Sequence, residues 1–275
     1  MQDLSQRFPV WFCDVWGVLH DGIHVFAGTV DTLTRHRGRG GLVILVSNSP
    51  RTAAGVASQL ADLGVPASCY DAIVTSGDVT RTLAVQQGGG KVFHLGHERD
   101  VSIFKDLPLQ RTKLADAHAV LCTGLVDDAH ETPADYAALL RQMRELALPM
   151  ICANPDKMVR KGARLLYCAG ALAEAYAALG GAVLMAGKPF APIYDLAHSE
   201  AERLGKRRFA KTDILALGDG PETDIKGAAD YGIAAVLVAD GVTDASNGLE
   251  AAERAVRAAV PDADIIRTVR QLHWS

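Results

Sequence analysis

Five residues that could do chemistry stand at, or a few residues beyond, the ends of short apolar runs of this 275-residue chain. They are three carboxylates, a hydroxyl and an ammonium: Asp14, Ser47, Lys188, Asp219 and Asp224. An aspartate can attack phosphorus and form an aspartyl-phosphate, which splits one difficult step into two easier ones. Because two anions repel each other, a divalent cation and a lysine would have to neutralise the phosphate as the carboxylate approaches it.

The same residue types predict a magnesium site. Mg²⁺ prefers octahedral oxygen ligands, usually one or two carboxylates together with waters and a phosphate. Asp14 with Asp219, and with Asp224, would supply such ligands, while Ser47 and the backbone amides after it can hold phosphate oxygens. Each signal is weak by itself, since an aspartate at a strand end more often forms a turn or caps a helix. The hypothesis depends on the ordered set.

The apolar runs before these residues are typical of strands that are covered on both faces. They are short, rich in β-branched or large aliphatic residues, and bounded by Gly, Asp, Ser or Pro. The predicted strands are 10–13, 42–46, 72–75, 182–186, 214–217 and 234–238. Residues 52–63 have helical spacing. Strands that alternate with helices indicate an α/β fold with a doubly wound parallel sheet, in which ligands bind at the carboxyl ends of the strands.

The middle third of the chain predicts a second α/β unit. Its expected elements are strands at 91–96, 119–125 and 149–153, helices at 136–146 and 171–179, and a glycine loop at 88–90. We therefore expect a core formed by residues 1–79 and 184–275, with a cap domain inserted at 80–183. One continuous large sheet is the alternative. The segment 248–272 predicts one or two helices, interrupted at Pro261, that pack on the sheet.

Composition excludes several classes of partner. The net charge is −4 and no Lys/Arg-rich run occurs, which argues against nucleic acid and anionic membranes as partners. No signal-peptide pattern and no apolar run of about 20 residues is present. Five cysteines without a CxxC pair indicate free thiols in a reducing compartment. We expect a cytoplasmic protein that binds a small phosphorylated metabolite; a homodimer through the cap or the core stays open.

The ordered motifs resemble the haloacid-dehalogenase superfamily, and within it subfamily IIA, the NagD-like sugar and nucleotide phosphatases with a large α/β cap. The segment Ala153-Asn154-Pro155-Asp156 and the Gly187-Lys188-Pro189 triplet also resemble that subfamily. The resemblance covers nearly the whole chain, from about residue 8 to 245. It implies an inserted cap between the second and third motifs, in agreement with the expected boundaries.

The resemblance also implies roles for individual residues. Asp14 matches the nucleophile, Ser47 the hydroxyl of the second motif, and Lys188 the lysine of the third. Mg²⁺ would be held by side chains and one backbone carbonyl, those of Asp14, Trp16 (carbonyl), Asp219 and Asp224. Substrate or phosphate would be bound by Ser47, Asn48, Asn154 and Asp156.

Trp16 is the one departure from the family pattern that affects the chemistry. The family's phosphatases carry a second aspartate at this position, which protonates the leaving oxygen and then activates water. Indole can donate a hydrogen bond but cannot exchange a proton near neutral pH. General acid–base catalysis is typically worth about 10²–10⁴-fold. The resemblance therefore predicts a nucleophile without its usual proton carrier.

Three hypotheses follow. In the first, a phosphatase takes its acid and base from elsewhere, with His20, Asp21, His24 or Asp156 as candidates; the alternative for His20 and Asp21 is that they only shape a loop. In the second, the substrate has a good leaving group, such as an acyl phosphate. In the third, the protein binds a phosphorylated metabolite, or is phosphorylated at Asp14, and acts as a sensor. We predict a Mg²⁺-dependent phosphatase with weakened acid–base catalysis, and keep the sensor as the alternative.

Overall fold

The computed structural model describes residues 1–87, 89–161, 164–241, 246 and 248–275. Within these residues the strands are β1 Val10–Cys13, β2 Leu42–Ser47, β3 Ala72–Thr75, β4 Lys91–Leu95, β5 Gln110–Arg111, β6 Ala119–Cys122, β7 Met150–Cys152, β8 Met158–Lys161, β9 Arg164–Tyr167, β10 Val183–Met185, β11 Ile214–Gly218, β12 Ala234–Val238 and β13 Ile265–Val269. The α-helices are α1 Gln2–Arg7, α2 Ala27–Gly38, α3 Ala53–Asp62, α4 Ser76–Gln87, α5 Ala137–Glu145, α6 Ala169–Ala178, α7 Ala191–Gly205, α8 Lys226–Tyr231 and α9 Leu249–Ala259.

The first of two compact units is built on a six-stranded sheet. It comprises Met1–Ser47, Val56–Val74 and Lys188–Ser275, and its strand order is β13-β12-β11-β1-β2-β3. β1 pairs in parallel with both β2 and β11. The chain proceeds from β1 to β2 on one side and adds β11 on the other. The carboxyl ends of β1 and β11 therefore form a topological switch point, where ligands bind in open α/β sheets.

Burial explains why these strands read as unbroken apolar runs. Every residue of β1, β11 and β12 is buried, as expected for parallel strands that are covered on both faces. The predicted α/β fold with a doubly wound parallel sheet is confirmed. None of the helices in the described ranges combines the length and the hydropathy that a membrane crossing requires.

The second unit comprises Asn48–Gly55 and Thr75–Gly187. Its sheet has the order β10-β7-β6-β4-β5, and all neighbouring strands pair in parallel. β8 and β9 form a separate antiparallel hairpin. The predicted insertion at 80–183 lies inside this unit, and its function as a cap stays a prediction. The loop expected at 88–90 begins with Gly88, which lies outside the described residues.

The prediction of helix across 248–272 is wrong in its second half. α9 ends at Ala259, two residues before Pro261, which cannot continue a helix without losing a backbone hydrogen bond. The chain then forms β13, which pairs in parallel with β12 at the edge of the first sheet. Four of its five residues, Ile265, Ile266, Thr268 and Val269, are β-branched and favour a strand once an edge is available.

A buried aromatic stack lies beside β1. The ring of His36 on α2 stacks on Trp11, with ring centroids 3.8 Å apart and planes inclined by 3°. Both residues are 0% exposed, and Nδ1 of His36 is 2.8 Å from Oγ of Ser5. Burial lowers the pKa of His36 from 6.5 to about 4. His36 is therefore neutral in the folded protein near pH 7.

We expect His36 to make the protein less stable in mild acid. The unfolded chain takes up a proton at His36 below pH 6.5, whereas the folded chain resists protonation until about pH 4. Stability therefore falls as the pH drops through this window, by on the order of 3 kcal/mol at full protonation. In urea titrations followed by circular dichroism, His36→Asn should be less stable than the parent at pH 7.5 and should show a shallower decline towards pH 4.5. An equally steep decline would assign the acid sensitivity to other groups.

Candidate active site

Three buried carboxylates meet at the switch point of the first sheet. Asp14 directly follows β1 and Asp219 directly follows β11, so these two acids come from neighbouring strands. Asp224 lies in the helical turn Pro221–Ile225. One oxygen of each carboxylate lies within 4.8 Å of the others. The three residues are 8%, 2% and 5% exposed, so water screens their charges poorly.

Lys188 is the buried counter-charge of these acids. Its Nζ donates a hydrogen bond to Oδ1 of Asp14 at 2.5 Å and another to Oδ1 of Asp224 at 2.7 Å. Burial by itself would lower the pKa of Lys188, but the charges of Asp14 and Asp224 outweigh it and raise that pKa well above 10.5. Lys188 is thus held as a cation that bridges two of the acids.

One ammonium does not neutralise three carboxylates, and the pKa of Asp14 reflects this excess of negative charge as well as its burial. Burial raises the pKa of Asp14 well above 3.8, and the charge of Asp224 raises it further, against the opposing charge of Lys188. Only the ionised carboxylate can attack phosphorus. A further positive charge in this cluster would lower the pKa of Asp14 and favour the ionised form.

The backbone encloses Asp219 on two sides. A Cβ atom at Gly17 would lie 2.1 Å from Oδ2 of Asp219, and a Cβ at Gly241 would lie 1.8 Å from the same oxygen. Gly17 also has a φ of +87°, in the left-handed region that favours glycine. We call this arrangement the glycine cradle. Sequence reasoning missed it: Gly17 belongs to the first motif, but nothing local to Gly241 points to Asp219.

Asp224 is oriented by its own turn and by α7. Its Oδ2 accepts a hydrogen bond from the backbone N–H of Gly220 at 3.1 Å, while Oδ1 faces Lys188. The hydroxyl of Tyr194, a buried residue of α7, donates to the backbone carbonyl of Asp224 at 3.4 Å. Both oxygens of this carboxylate are therefore held in fixed directions. Tyr194 is a second neighbour of the site that sequence reasoning missed.

The side chain of Trp16 packs on the loop that follows it. Its ring meets His20 edge-on, with centroids 5.2 Å apart and planes at 71°. A Cβ atom at Gly22 would lie 2.5 Å from Cη2 of Trp16, so the glycine leaves room for the indole. The indole is thus part of the packing of this loop.

Two of the predicted proton carriers shape the same loop. Nδ1 of His20 accepts a hydrogen bond from the N–H of Gly22 at 2.9 Å, and burial lowers the pKa of His20. The carboxylate of Asp21 accepts from the N–H groups of His24, at 2.6 Å, and Ile23, at 2.8 Å. These bonds lower the pKa of Asp21 to about 2. The geometry favours the loop-shaping alternative for His20 and Asp21, while His24 is an exposed partner of Asp21.

The other predicted site residues occupy two places. Ser47 is the last residue of β2 in the first unit and is 7% exposed. The three remaining residues lie together in the second unit. There, Nδ2 of Asn48 donates to Oδ1 of Asp156 at 2.8 Å, and the N–H of Asp156 donates to Oδ1 of Asn154 at 3.0 Å.

The acid cluster fits a hard divalent cation. Asp14, Asp219 and Asp224 offer carboxylate oxygens, the ligand type that Mg²⁺ prefers. Their negative charge exceeds what Lys188 neutralises, and the charges of Asp224 and Asp219 add to the effect of burial in raising the pKa of Asp14. Across the described ranges, no other group of three or more His, Cys, Asp and Glu side chains comes close enough to hold a metal ion.

Comparison with known proteins gives the family. A model for haloacid dehalogenase-like hydrolases matches residues 11–110, and a second model, HAD-hydrolase-like, matches 185–270. A haloacid dehalogenase-like hydrolase of known crystal structure from Brucella suis 1330 is 44% identical, with 99% of this chain and 98% of that chain covered and a TM-score of 0.89. The chain belongs to the haloacid-dehalogenase-like hydrolases. The predicted superfamily, with its NagD-like subfamily IIA, is confirmed.

This haloacid-dehalogenase-like hydrolase has further relatives. It is 28% identical over 250 residues to a D-glycerol 3-phosphate phosphatase from Mycobacterium tuberculosis, which covers 89% of this chain and 67% of that protein. The crystal structure of a glycerol phosphate phosphatase from the same organism, in complex with magnesium, has a TM-score of 0.74 at 24% identity, covering 98% of this hydrolase and 76% of that chain. The second likeness shows a common fold.

Proposed function

We propose that the protein is a Mg²⁺-dependent phosphatase that hydrolyses the phosphate monoester of a small metabolite through an aspartyl-phosphate on Asp14. The observation that carries this proposal is the buried hydrogen bond from Lys188 to Asp14, formed within a cluster of three carboxylates. A buried carboxylate at a sheet switch point can attack the phosphorus of an anionic ester when a bound ammonium group offsets the negative charges. The D-glycerol 3-phosphate phosphatase relative supports a small phosphorylated substrate.

The magnesium site would use residues already described. Asp14, Asp219 and the backbone carbonyl of Trp16 would hold the ion, with Asp224 as a ligand either directly or through water. When bound, Mg²⁺ would neutralise charge on the phosphate and on the acids around it. A magnesium complex of a protein with the same fold supports this choice of ion.

The chain's own residues then account for the chemistry. An oxygen of Asp14 attacks phosphorus, the ester P–O bond breaks, and the aspartyl-phosphate forms. The leaving oxygen takes a proton from solvent water and departs as the alcohol. Water then attacks that phosphorus, releases inorganic phosphate and regenerates the carboxylate. Lys188 holds Asp14 in place and offsets negative charge, while Ser47 and Asn48 bind the non-bridging phosphate oxygens.

Proton transfer is the weak part of this mechanism. Trp16 cannot protonate the leaving oxygen, and His20 and Asp21 are engaged within their own loop. We therefore propose slow turnover of unactivated alkyl esters and faster turnover of esters with good leaving groups. The same observation favours a second candidate function, a sensor that binds phosphorylated metabolites without efficient turnover.

The state of the cysteines agrees with a reducing compartment such as the cytoplasm. All five cysteines are free and buried, and burial raises the pKa of Cys13 and Cys122 well above 9. Thiols in this state act as small apolar side chains in packing. We propose a cytoplasmic location on this ground.

The test is phosphate release across a panel of glycerol, sugar, nucleotide, aryl and acyl phosphates, in Mg²⁺ and in EDTA. We expect release only in Mg²⁺, with rates that increase as the leaving group becomes more acidic. Mg²⁺ should also raise the Tm, because it offsets repulsion among the buried acids. Asp219→Asn should reduce that increase.

Two outcomes would change the assignment. If no substrate is hydrolysed but phosphorylated metabolites raise the Tm in Mg²⁺, the sensor function replaces the phosphatase. If Mg²⁺ changes neither activity nor Tm, the acid cluster is not a metal site and the proposal fails.

A further inference from the structure

Two of the junctions between the units are directly beside proposed catalytic residues. The first unit stops at Ser47 and the second begins at Asn48, while the second ends at Gly187 and the first resumes at Lys188. Asn48 and Gly187 are therefore the covalent neighbours of a phosphate-binding hydroxyl and of the lysine that holds Asp14. Contacts that hold Asn48 and Gly187 in place therefore also restrict the backbone of Ser47 and Lys188, to which they are bonded.

The structure fixes both residues against one loop, residues 154–156, which follows β7 in the second unit. Nδ2 of Asn48 donates to Oδ1 of Asp156 at 2.8 Å. A Cβ atom at Gly187 would lie 2.3 Å from Oδ1 of Asn48 and 2.8 Å from Cδ of Pro155. The amide of Asn48 is thus packed between the backbone of Gly187 and the 154–156 loop.

The 154–156 loop is itself anchored in the second unit. The N–H of Ala153 donates to the carbonyl of Cys122 at 2.8 Å, and that of Gly170 donates to the carbonyl of Asp156 at 3.1 Å. A Cβ at Gly170 would lie 2.1 Å from the carbonyl oxygen of Pro155, so α6 approaches the loop closely. Main-chain bonds on both sides hold the loop to β6 and α6.

From these contacts we infer that Asp156 is a positioning residue that acts through Asn48. A planar amide has two N–H bonds in fixed directions, so the bond to Asp156 also fixes the direction of the second N–H and of Oδ1. A charged acceptor makes this hydrogen bond stronger than one between neutral groups. This inference rests on the proposed function, because it assumes that Asn48 binds phosphate. The inference gives Asp156 an indirect role, in place of the two roles predicted from the sequence, which were proton carrier and direct ligand of the substrate.

The test compares Asp156→Ala, Asp156→Asn and a double variant. Asp156→Ala should lower kcat/KM about tenfold or more, the usual effect of losing a hydrogen bond to a charged group. Asp156→Asn keeps an acceptor oxygen in the same place, so it should retain activity within about threefold. Glu145→Ala removes an exposed carboxylate from α5 of the same unit and should change nothing.

The double variant shows whether Asp156 acts through Asn48. In an Asn48→Ala background, adding Asp156→Ala should change kcat/KM by less than about twofold. Losses that multiply would overturn the inference and make Asp156 an independent substrate ligand. If Asp156→Asn is as inactive as Asp156→Ala and removes a limb of the pH–rate profile, Asp156 is a proton carrier and the inference is also wrong.

A binding readout separates this inference from the proposed function. The affinity for inorganic phosphate in Mg²⁺, measured by calorimetry, needs no turnover. If the parent binds phosphate without hydrolysing esters, the phosphatase proposal fails, whereas the same non-additivity between Asn48 and Asp156 in phosphate affinity would still support positioning. Additive effects on affinity would refute the positioning role in either case.

Discussion

Asp14→Asn abolishes Mg²⁺-dependent phosphate release, with a loss of more than about a thousandfold for every substrate that the parent hydrolyses. The amide has the shape of the carboxylate and can still accept the hydrogen bond from Lys188, but it is no useful nucleophile toward phosphorus. Phosphate release should be measured under single-turnover conditions. There, acid-quenched parent protein should retain labelled phosphate and the variant should not.

Stability provides the control for Asp14→Asn. Because burial raises the pKa of Asp14 above 3.8, the unfolded chain releases this proton at a lower pH than the folded chain does. The metal-free parent is therefore destabilised progressively as the pH rises above 3.8, and the amide variant is not. Without Mg²⁺ near pH 7, the variant should be at least as stable as the parent. Retained activity in Asp14→Asn would refute the covalent route. If the variant does not fold, the acid-quench assay on the parent protein decides between the covalent and the direct route.

Trp16→Asp should exceed Trp16→Asn in kcat on alkyl phosphates by about a hundredfold, within the usual range of general acid–base catalysis. Both variants lose the same contacts of the indole with His20 and Gly22. Their ratio therefore isolates the ability to carry a proton from the loss of the ring. A direct comparison of Trp16→Asp with the parent would mix the two effects and could go either way.

The size of the ratio should depend on the leaving group. With a nitrophenyl ester, protonation of the leaving oxygen matters little, so the advantage of Trp16→Asp should shrink. A new limb in its pH–rate profile should accompany the gain. Equal rates for the two variants on every ester would mean that the side chain at position 16 does not reach the reacting oxygens.

Much of the fold was predictable because its central strands are buried on both faces. β1, β2, β11 and β12 are almost continuous apolar runs, and their order with the helices indicates a parallel sheet. Asp14 and Asp219 then follow directly, because each is the first residue after such a strand.

The features that sequence reasoning missed depend on contacts between distant residues. β13 is a strand because β12 offers it an edge, and its five residues after Pro261 could equally have been read as a helical turn. The β8–β9 hairpin was not predicted, since each strand is short and pairs only with the other. The hydrogen bond between Asn48 and Asp156 joins residues that lie far apart in the chain.

The candidate proton carriers illustrate a different limit. Proximity in sequence to Asp14 made His20 and Asp21 plausible, and the loop does fold back, as the hydrogen bond from Gly17 N–H to the carbonyl of His20 shows. However, the side chains of both residues bind the backbone of their own loop. Sequence spacing indicates where a loop can reach, but not which hydrogen-bond partners its side chains will find.

The glycine cradle has a consequence for how this scaffold can evolve. Because main chain from two directions closes around Asp219, the backbone at Gly17 and Gly241 limits where that carboxylate can lie. Substrate preference can then drift by replacement of lining residues while the acid keeps its place. Outside the proposed catalytic and metal-binding residues, a mutational library should accordingly tolerate variation around the site, but almost none at Gly17 and Gly241, where even one methyl group would displace the carboxylate.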